Sequence, residues 1–192
     1  TGQAASATVG RGAALFDRRR VCAQLGSAGV LAMVVCLLVD GSELPDALNR
    51  AIEILTEHDD HAETLEALEH AIELAGSDVA RPQAIEALGQ GWIAEEALAI
   101  GVYCALTAQT FEDGVVAAVN HSGDSDSTGS IAGNLLGAEL GVSGIPGRYL
   151  ERLELRDVIA EIGSDLLDYR LWQLSDDTDE DTQRIWDKYP GF

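Results

Sequence analysis

Residues 120–141 read Asn120-His121-Ser122-Gly123-Asp124-Ser125-Asp126-Ser127-Thr128-Gly129-Ser130-Ile131-Ala132-Gly133-Asn134-Leu135-Leu136-Gly137-Ala138-Glu139-Leu140-Gly141. Gly129, Gly133, Gly137 and Gly141 recur at steps of four, the period of one helix face, so the spacing predicts a helix from Thr128 to Leu140. Each glycine costs a helix roughly 1 kcal/mol relative to alanine. A face made of them predicts close approach by another helix backbone or by a ligand, with Gly129 tied to the carboxylates before it. Asp124 and Asp126, two positions apart on a loop, can converge on one hard cation. The hydroxyl of Ser127 or Thr128 can complete that edge, and oxygen donors of this kind suit magnesium, manganese or calcium. The loop runs into a helix N-terminus, whose dipole favours anionic groups. An EF-hand calcium loop is the rival reading: Asp124, Asp126, Thr128, Gly129 and Ile131 match positions 1, 3, 5, 6 and 8. Position 12 is then Leu135, where a bidentate glutamate is required.

Helical periodicity extends outward from this segment in both directions, and no stretch alternates with period two. Residues 21–39 form an apolar helix stopped by Asp40-Gly41, and Ser42 caps the next, which carries Leu44, Ala47, Leu48, Ala51, Ile52 and Leu55 on one face. Asp60 with Glu63 reads as a capping box for a helix that Gly76 ends. Arg81-Pro82 opens a short helix to Leu88, Gly89-Gln90-Gly91 turns, and Trp92 to Ala108 is a long helix with Ala97, Ile100, Cys104 and Ala105 inward. Trp92 itself reads as core, with a base-stacking platform the alternative. Thr110 caps a helix to Val119, and Leu155, Val158, Ile159, Ile162, Leu166 and Tyr169 mark a last amphipathic helix. The expectation is an all-α fold in a single compact multi-helix domain over residues 1–174, followed by an acidic tail, 175–192. In that tail Ser175-Asp176-Asp177-Thr178 reads as a solvated charge run; Glu57-His58-Asp59-Asp60-His61 reads as an interhelix loop.

Composition narrows the function. The 192 residues include 33 acidic and 12 basic side chains, net charge −21, a surface that repels nucleic acid and anionic lipid. Arg18-Arg19-Arg20 before an apolar stretch resembles a membrane segment. Only Ala28 to Val39 is cleanly apolar, though, well short of the ~20 residues a span requires. Cys22, Cys36 and Cys104 lie among apolar neighbours and read as buried reduced thiols of a cytoplasmic protein.

Three motifs in order carry a family resemblance. His121 to Ala138 resembles the C-terminal metal motif of the ADP-ribosylglycohydrolases, roughly G-D-x-D-[ST] followed by small residues and G-x-x-x-G-A. Upstream, Gly89-Gln90-Gly91-Trp92-Ile93-Ala94-Glu95-Glu96-Ala97-Leu98-Ala99 is similar to the family's G-x-G-W-x-x-E-E-A-L-A segment. Downstream, Ile145-Pro146 and Tyr149-Leu150 match its I-P-x-x-[WY]-L turn. The likeness is strongest from Gly89 to Leu153 and weaker from Ser27 to Ala75.

The resemblance implies metal-dependent hydrolysis of the glycosidic bond between ADP-ribose and a protein side chain or related acceptor. Two Mg2+ or Mn2+ ions are expected in the complete family site. It implies Asp124, Asp126 and Ser127 as metal ligands, with Thr128 the alternative hydroxyl and Asp126 bridging both metals. Ser122 and Gly123 are implied to approach substrate through backbone groups, and His121 is a further candidate contact. Glu95 and Glu96 read as helix-capping or salt-bridging residues rather than an acid–base pair. The family's N-terminal T-D-D segment does not precede the matched motifs, so the expectation is a C-terminal portion lacking the N-terminal helices, holding half of the dinuclear site. Weak or no turnover is expected from such a chain alone. The alternative is a catalytically inactive helical module that binds ADP-ribose or a protein. Apolar faces left by an absent layer would promote self-association, above all along Ala28 to Val39.

Overall fold

The computed structural model describes residues 18–169, 172 and 180–190. The described residues form ten helices and no strand. They run α1 (Arg18–Val39), α2 (Leu44–Leu55), α3 (Ala62–Ala75), α4 (Arg81–Leu88) and α5 (Ala94–Leu106), then α6 (Phe111–Val119), α7 (Ser125–Gly144), α8 (Gly147–Leu150), α9 (Arg156–Asp168) and α10 (Glu180–Lys188). The chain divides between Pro146 and Gly147 into two compact units. The expected boundary between Leu174 and Ser175, and the Ser175-Asp176-Asp177-Thr178 run, lie outside the described residues.

Helix α5 is the axis of the first unit. It is apolar all round: Ala97, Leu98, Ala99, Ile100, Gly101, Val102, Tyr103, Cys104 and Ala105 are all buried. A helix of that composition is stable only when wrapped on every side. Helices α1, α3, α4, α6 and α7 supply the wrapping. Its small residues allow tight approach: a Cβ on Gly101 would lie 2.4 Å from Ile131 Cγ2 of α7. Helix α2 buries Leu44, Ala47, Leu48, Ala51, Ile54 and Leu55 at helical spacing, with Pro45 tolerated in its first turn. Helix α1 buries Val30, Val34 and Leu38, bends at Gly26 (φ 22°, ψ −115°), and packs on α2, α5 and α7. No helix of the described residues is long and apolar enough to cross a membrane.

Several local expectations are corrected. Ser42 caps nothing: the N-cap of α2 is Glu43, whose side chain makes no capping bond, and the Ser42 amide instead closes the end of α1 on Leu37 O, 2.9 Å. The Asp60/Glu63 box does not form either. Tight turns continue past α2, from Glu57 N to Ile54 O (3.1 Å) and His58 N to Leu55 O (3.1 Å), which leaves His61 at the start of α3 with no side-chain cap. Thr110 does cap α6, its hydroxyl accepting from Asp113 N at 3.1 Å. Cys104 is buried, and its thiol is pushed up to about 12 by burial; Cys36, expected inside, is exposed on α1.

The glycine face of α7 departs from expectation. Its buried residues are Thr128, Ala132, Leu135 and Leu136. Gly129 is crowded by Val119 Cγ1 of α6, 2.5 Å from where its Cβ would be, so packing rather than the carboxylates uses it. A Cβ at Gly133, Gly137 or Gly141 would meet nothing within 4 Å among the described residues. Gly141 (φ 65°, ψ 179°) breaks the helical path, after which the chain recoils to Gly144.

In the second unit, α9 buries no residue, leaving Val158, Ile159, Ile162, Leu166 and Leu167 exposed. Its acidic edge is tied to α10. Lys188 Nζ reaches Glu161 Oε1 at 2.6 Å and Asp165 Oδ2 at 2.5 Å, and Tyr189 OH donates to Asp165 Oδ2 at 2.5 Å. The tail therefore carries an ordered, charge-tethered helix.

Candidate metal-binding site

The site is built on the Gly89-Gln90-Gly91 turn before α5. Glu96, in the first turn of that helix, reaches back, and its Oε2 accepts from both Gln90 N and Gly91 N at 3.0 Å. One carboxylate thus holds two amides of the turn that precedes the helix, an arrangement in which charge-assisted bonds are strong. Gly91 turns at φ +77°, a conformation that favours glycine. The turn then presents Gln90 O to the metal loop, where Asp124 N donates to it at 2.7 Å. Gly123 lies flat against Gln90: a Cβ there would fall 1.8 Å from Gln90 O. Turn and loop are therefore locked backbone to backbone, and Glu96 is a positioning residue, in line with its capping role.

His121 and Thr128 fix the inner side of the loop. Gly123 N–H can only donate, so His121 Nδ1 is the acceptor at 3.1 Å, and Nε2 carries the proton it gives to Thr128 Oγ1 at 2.9 Å. Thr128 is fully buried, and its hydroxyl donates to Ala118 O at 2.7 Å. It is engaged by His121 and Ala118 inside the protein and has no exposure, which leaves Ser127, half-buried beside it, as the hydroxyl with access to the surface.

The two carboxylates meet at the N-terminus of α7. Asp124 is the N-cap residue, yet its side chain makes no capping bond. The neighbouring Asp124 side chain, followed by the amides of Asp126 and Ser127, holds the exposed Asp126 carboxyl below the usual carboxylate range. All the donors are hard oxygen, which fits Mg2+, Mn2+ or Ca2+ and not a soft metal. Among the described residues no group of three His, Cys, Asp or Glu side chains could hold a metal. Because α7 begins at Ser125, no twelve-residue calcium loop exists. Ser122 is exposed and Gly123 half-buried on the same loop.

Trp92 is not core. It is 66% exposed, and Ile93 beside it is 57% exposed. The apolar reading of Trp92 failed because the chain there is still in the turn: α5 begins only at Ala94. Its indole N–H donates to Gln90 Oε1 at 3.1 Å. The adjacent Gly-Gln-Gly was the signal available in the sequence.

An all-α chain with an acidic pair on a locked loop at a glycine-rich helix defines the class, and comparison with known proteins gives the family. The sequence profile of the ADP-ribosylglycohydrolase family matches residues 13–178, and the chain belongs to that family. It is 27% identical over 146 residues to an uncharacterized protein of Archaeoglobus fulgidus, covering 76% of this chain and 46% of that protein. It is 43% identical over 47 residues to the ADP-ribosyl-[dinitrogen reductase] glycohydrolase of Rhodospirillum rubrum, covering 24% of this chain and 16% of that one. The matches thus span less than half the length of either relative. No solved structure matches the chain.

Proposed function

We propose that this chain supplies one edge of a dinuclear metal site for hydrolysis of the glycosidic bond joining ADP-ribose to a protein side chain or related acceptor. Two carboxylates two positions apart, Asp124 and Asp126, at the N-terminus of α7 on a loop fixed by Gln90 and Gly123 carry the reading. Asp124, Asp126 and Ser127 would hold Mg2+ or Mn2+, with Asp126 bridging; Thr128 acts through His121 and the loop rather than on the metal. Such ions, when bound, would supply charge stabilisation and an activated water to the sugar. The chain's own residues do the rest. Glu96 and Gly123 hold the loop against the Gly89-Gln90-Gly91 turn, Asp124 and Asp126 would supply carboxylate oxygens, and the exposed Ser122 would offer its backbone to substrate. A substrate bearing a diphosphate would meet a chain of net charge −21 that repels it, so binding is expected to depend on the divalent cation.

Calorimetry with Mg2+ or Mn2+ and ADP-ribose tests this. Metal-dependent binding is expected, abolished by Asp124→Asn or Asp126→Asn without loss of helical circular dichroism. Binding that ignores both substitutions would sink the assignment. The partial ligand set favours a second reading, an inactive ADP-ribose-binding or protein-interaction module. Release of ADP-ribose from an ADP-ribosylated protein in excess Mg2+ distinguishes the two: turnover supports the hydrolase, binding without turnover the module.

A further inference from the structure

Helix α9 carries an apolar face that its own unit does not cover. Val158, Ile162 and Leu166 follow at steps of four with Ile159 beside them, and Leu155 and Tyr169 continue the line at its two ends. All six are exposed, and α9 buries no residue. A helix of 13 residues is marginal in water by itself and draws its stability from the packing of such a face. Leu155, left 66% exposed, is moreover held at φ 57°, a conformation that leucine rarely adopts.

The order of residues along the face shows what fits it. A two-fold axis through Ile162, perpendicular to the helix, sets a second α9 antiparallel to the first. Positions equally far from Ile162 then meet: Val158 faces Leu166, Leu155 faces Tyr169, and Ile162 meets its own copy. A face that repeats in this way is complementary to itself, as an isologous interface requires. At each end the Tyr169 ring of one copy comes to an open groove of about 470 Å3, lined in part by Leu153, Leu155 and Val158 of the other. Charge agrees with this arrangement. Glu161 and Asp165 border the face on one side, and the two-fold axis lays that edge along the same edge of the second copy. Lys188 sets its ammonium against both carboxylates, at 2.6 and 2.5 Å, which lowers the like-charge repulsion there. An anionic lipid surface is a poor occupant for a chain of net charge −21.

We propose that α9 is a dimerisation helix, two copies of the chain pairing antiparallel across Ile162. One helix face is small beside the ~800 Å2 per partner of a standard interface, so the pair forms and dissociates with protein concentration. The inference stands apart from the hydrolase reading.

Sedimentation equilibrium of the full chain at rising concentration, in low and high NaCl, tests it. The wild-type mass is expected to climb from 20.3 kDa toward twice that value and to level off there. High salt should favour the pair, because it screens the repulsion between two anionic copies. Ile162→Glu puts two carboxylates on the axis and should hold the mass at the monomer value, with helical circular dichroism and the melting temperature of the dilute chain unaltered. Under mild oxidation, a mixture of Val158→Cys and Leu166→Cys should cross-link one variant to the other well above the level that either variant or wild type forms alone. A wild-type mass fixed at 20.3 kDa overturns the proposal, as does growth past the dimer or weakening by salt. A lower melting temperature for dilute Ile162→Glu would mean that the chain itself covers the face, and equal cross-linking in the separate variants would mean a parallel pair; either result rules out the arrangement.

Discussion

Thr128 and Ser127 are adjacent hydroxyls with opposite jobs, and substitution separates them. Thr128→Val removes the partner of both His121 Nε2 and Ala118 O inside the protein. The expected cost is about 1–3 kcal/mol in urea unfolding. Ser127→Ala, on the half-exposed side, should leave the urea midpoint unchanged and weaken Mg2+ affinity instead. Gly123→Ala cannot keep a Cβ 1.8 Å from Gln90 O, so loop and turn must separate. A loss of about 2 kcal/mol or more is expected, together with loss of metal binding. At this scale the sequence shows which residues carry oxygen ligands, because residue type and spacing decide that. It does not show which hydroxyl is consumed internally: Thr128 is turned inward by Ala118, ten residues away in the chain, and no local pattern records that contact.

Helices were the legible part. The starts of α4 and α6 and the capping role of Thr110 follow from proline and N-cap chemistry acting within a few residues. The inward set of α5, Ala97, Ile100, Cys104 and Ala105, follows from apolarity. At Gly133 and Gly137 no described helix meets the glycine stripe of α7, because spacing places residues on a face without saying what the fold sets against it. That gives a prediction contrary to the sequence reading. Gly133→Ala meets open space in a helical segment and should raise stability by about 0.5–1 kcal/mol, read as a higher melting temperature. Leu135→Ala, fully buried two residues further on, should cost about 2–5 kcal/mol. Helix α10 escaped notice because acidic composition masks its pattern; ion pairs to Glu161 and Asp165 tether it.

Over the whole molecule, a long-range ion pair ties α4 to α6. Arg81 Nη1 and Nη2 donate to Asp113 Oδ1 and Oδ2 at 2.8 and 3.1 Å, and Nη2 also donates to Thr107 O at 2.9 Å. The Arg81 guanidinium, then the Gln109 amide, hold the Asp113 carboxyl below its ordinary range. A depressed carboxyl stabilises the fold above its unfolded value of about pH 4, and that stability is lost as pH falls through the folded value. Asp113→Asn should therefore flatten the acid limb of the stability profile below about pH 4. Because both side chains are about a third exposed (33% and 37%), the effect is limited to roughly 0–1 kcal/mol. In the second unit the helical face of α9 carries its apolar residues outward, so Ile162→Ser should change the stability of the dilute monomer by less than about 0.5 kcal/mol.

Lysine occurs once in the chain, at position 188, where two carboxylates share its ammonium and raise its pKa well above the ordinary value. Side-chain acylating reagents consequently have a single ε-amine to find, and they attack only its deprotonated form. The speed with which that amine takes up a label becomes a built-in stopwatch for how often the C-terminal helix lets go.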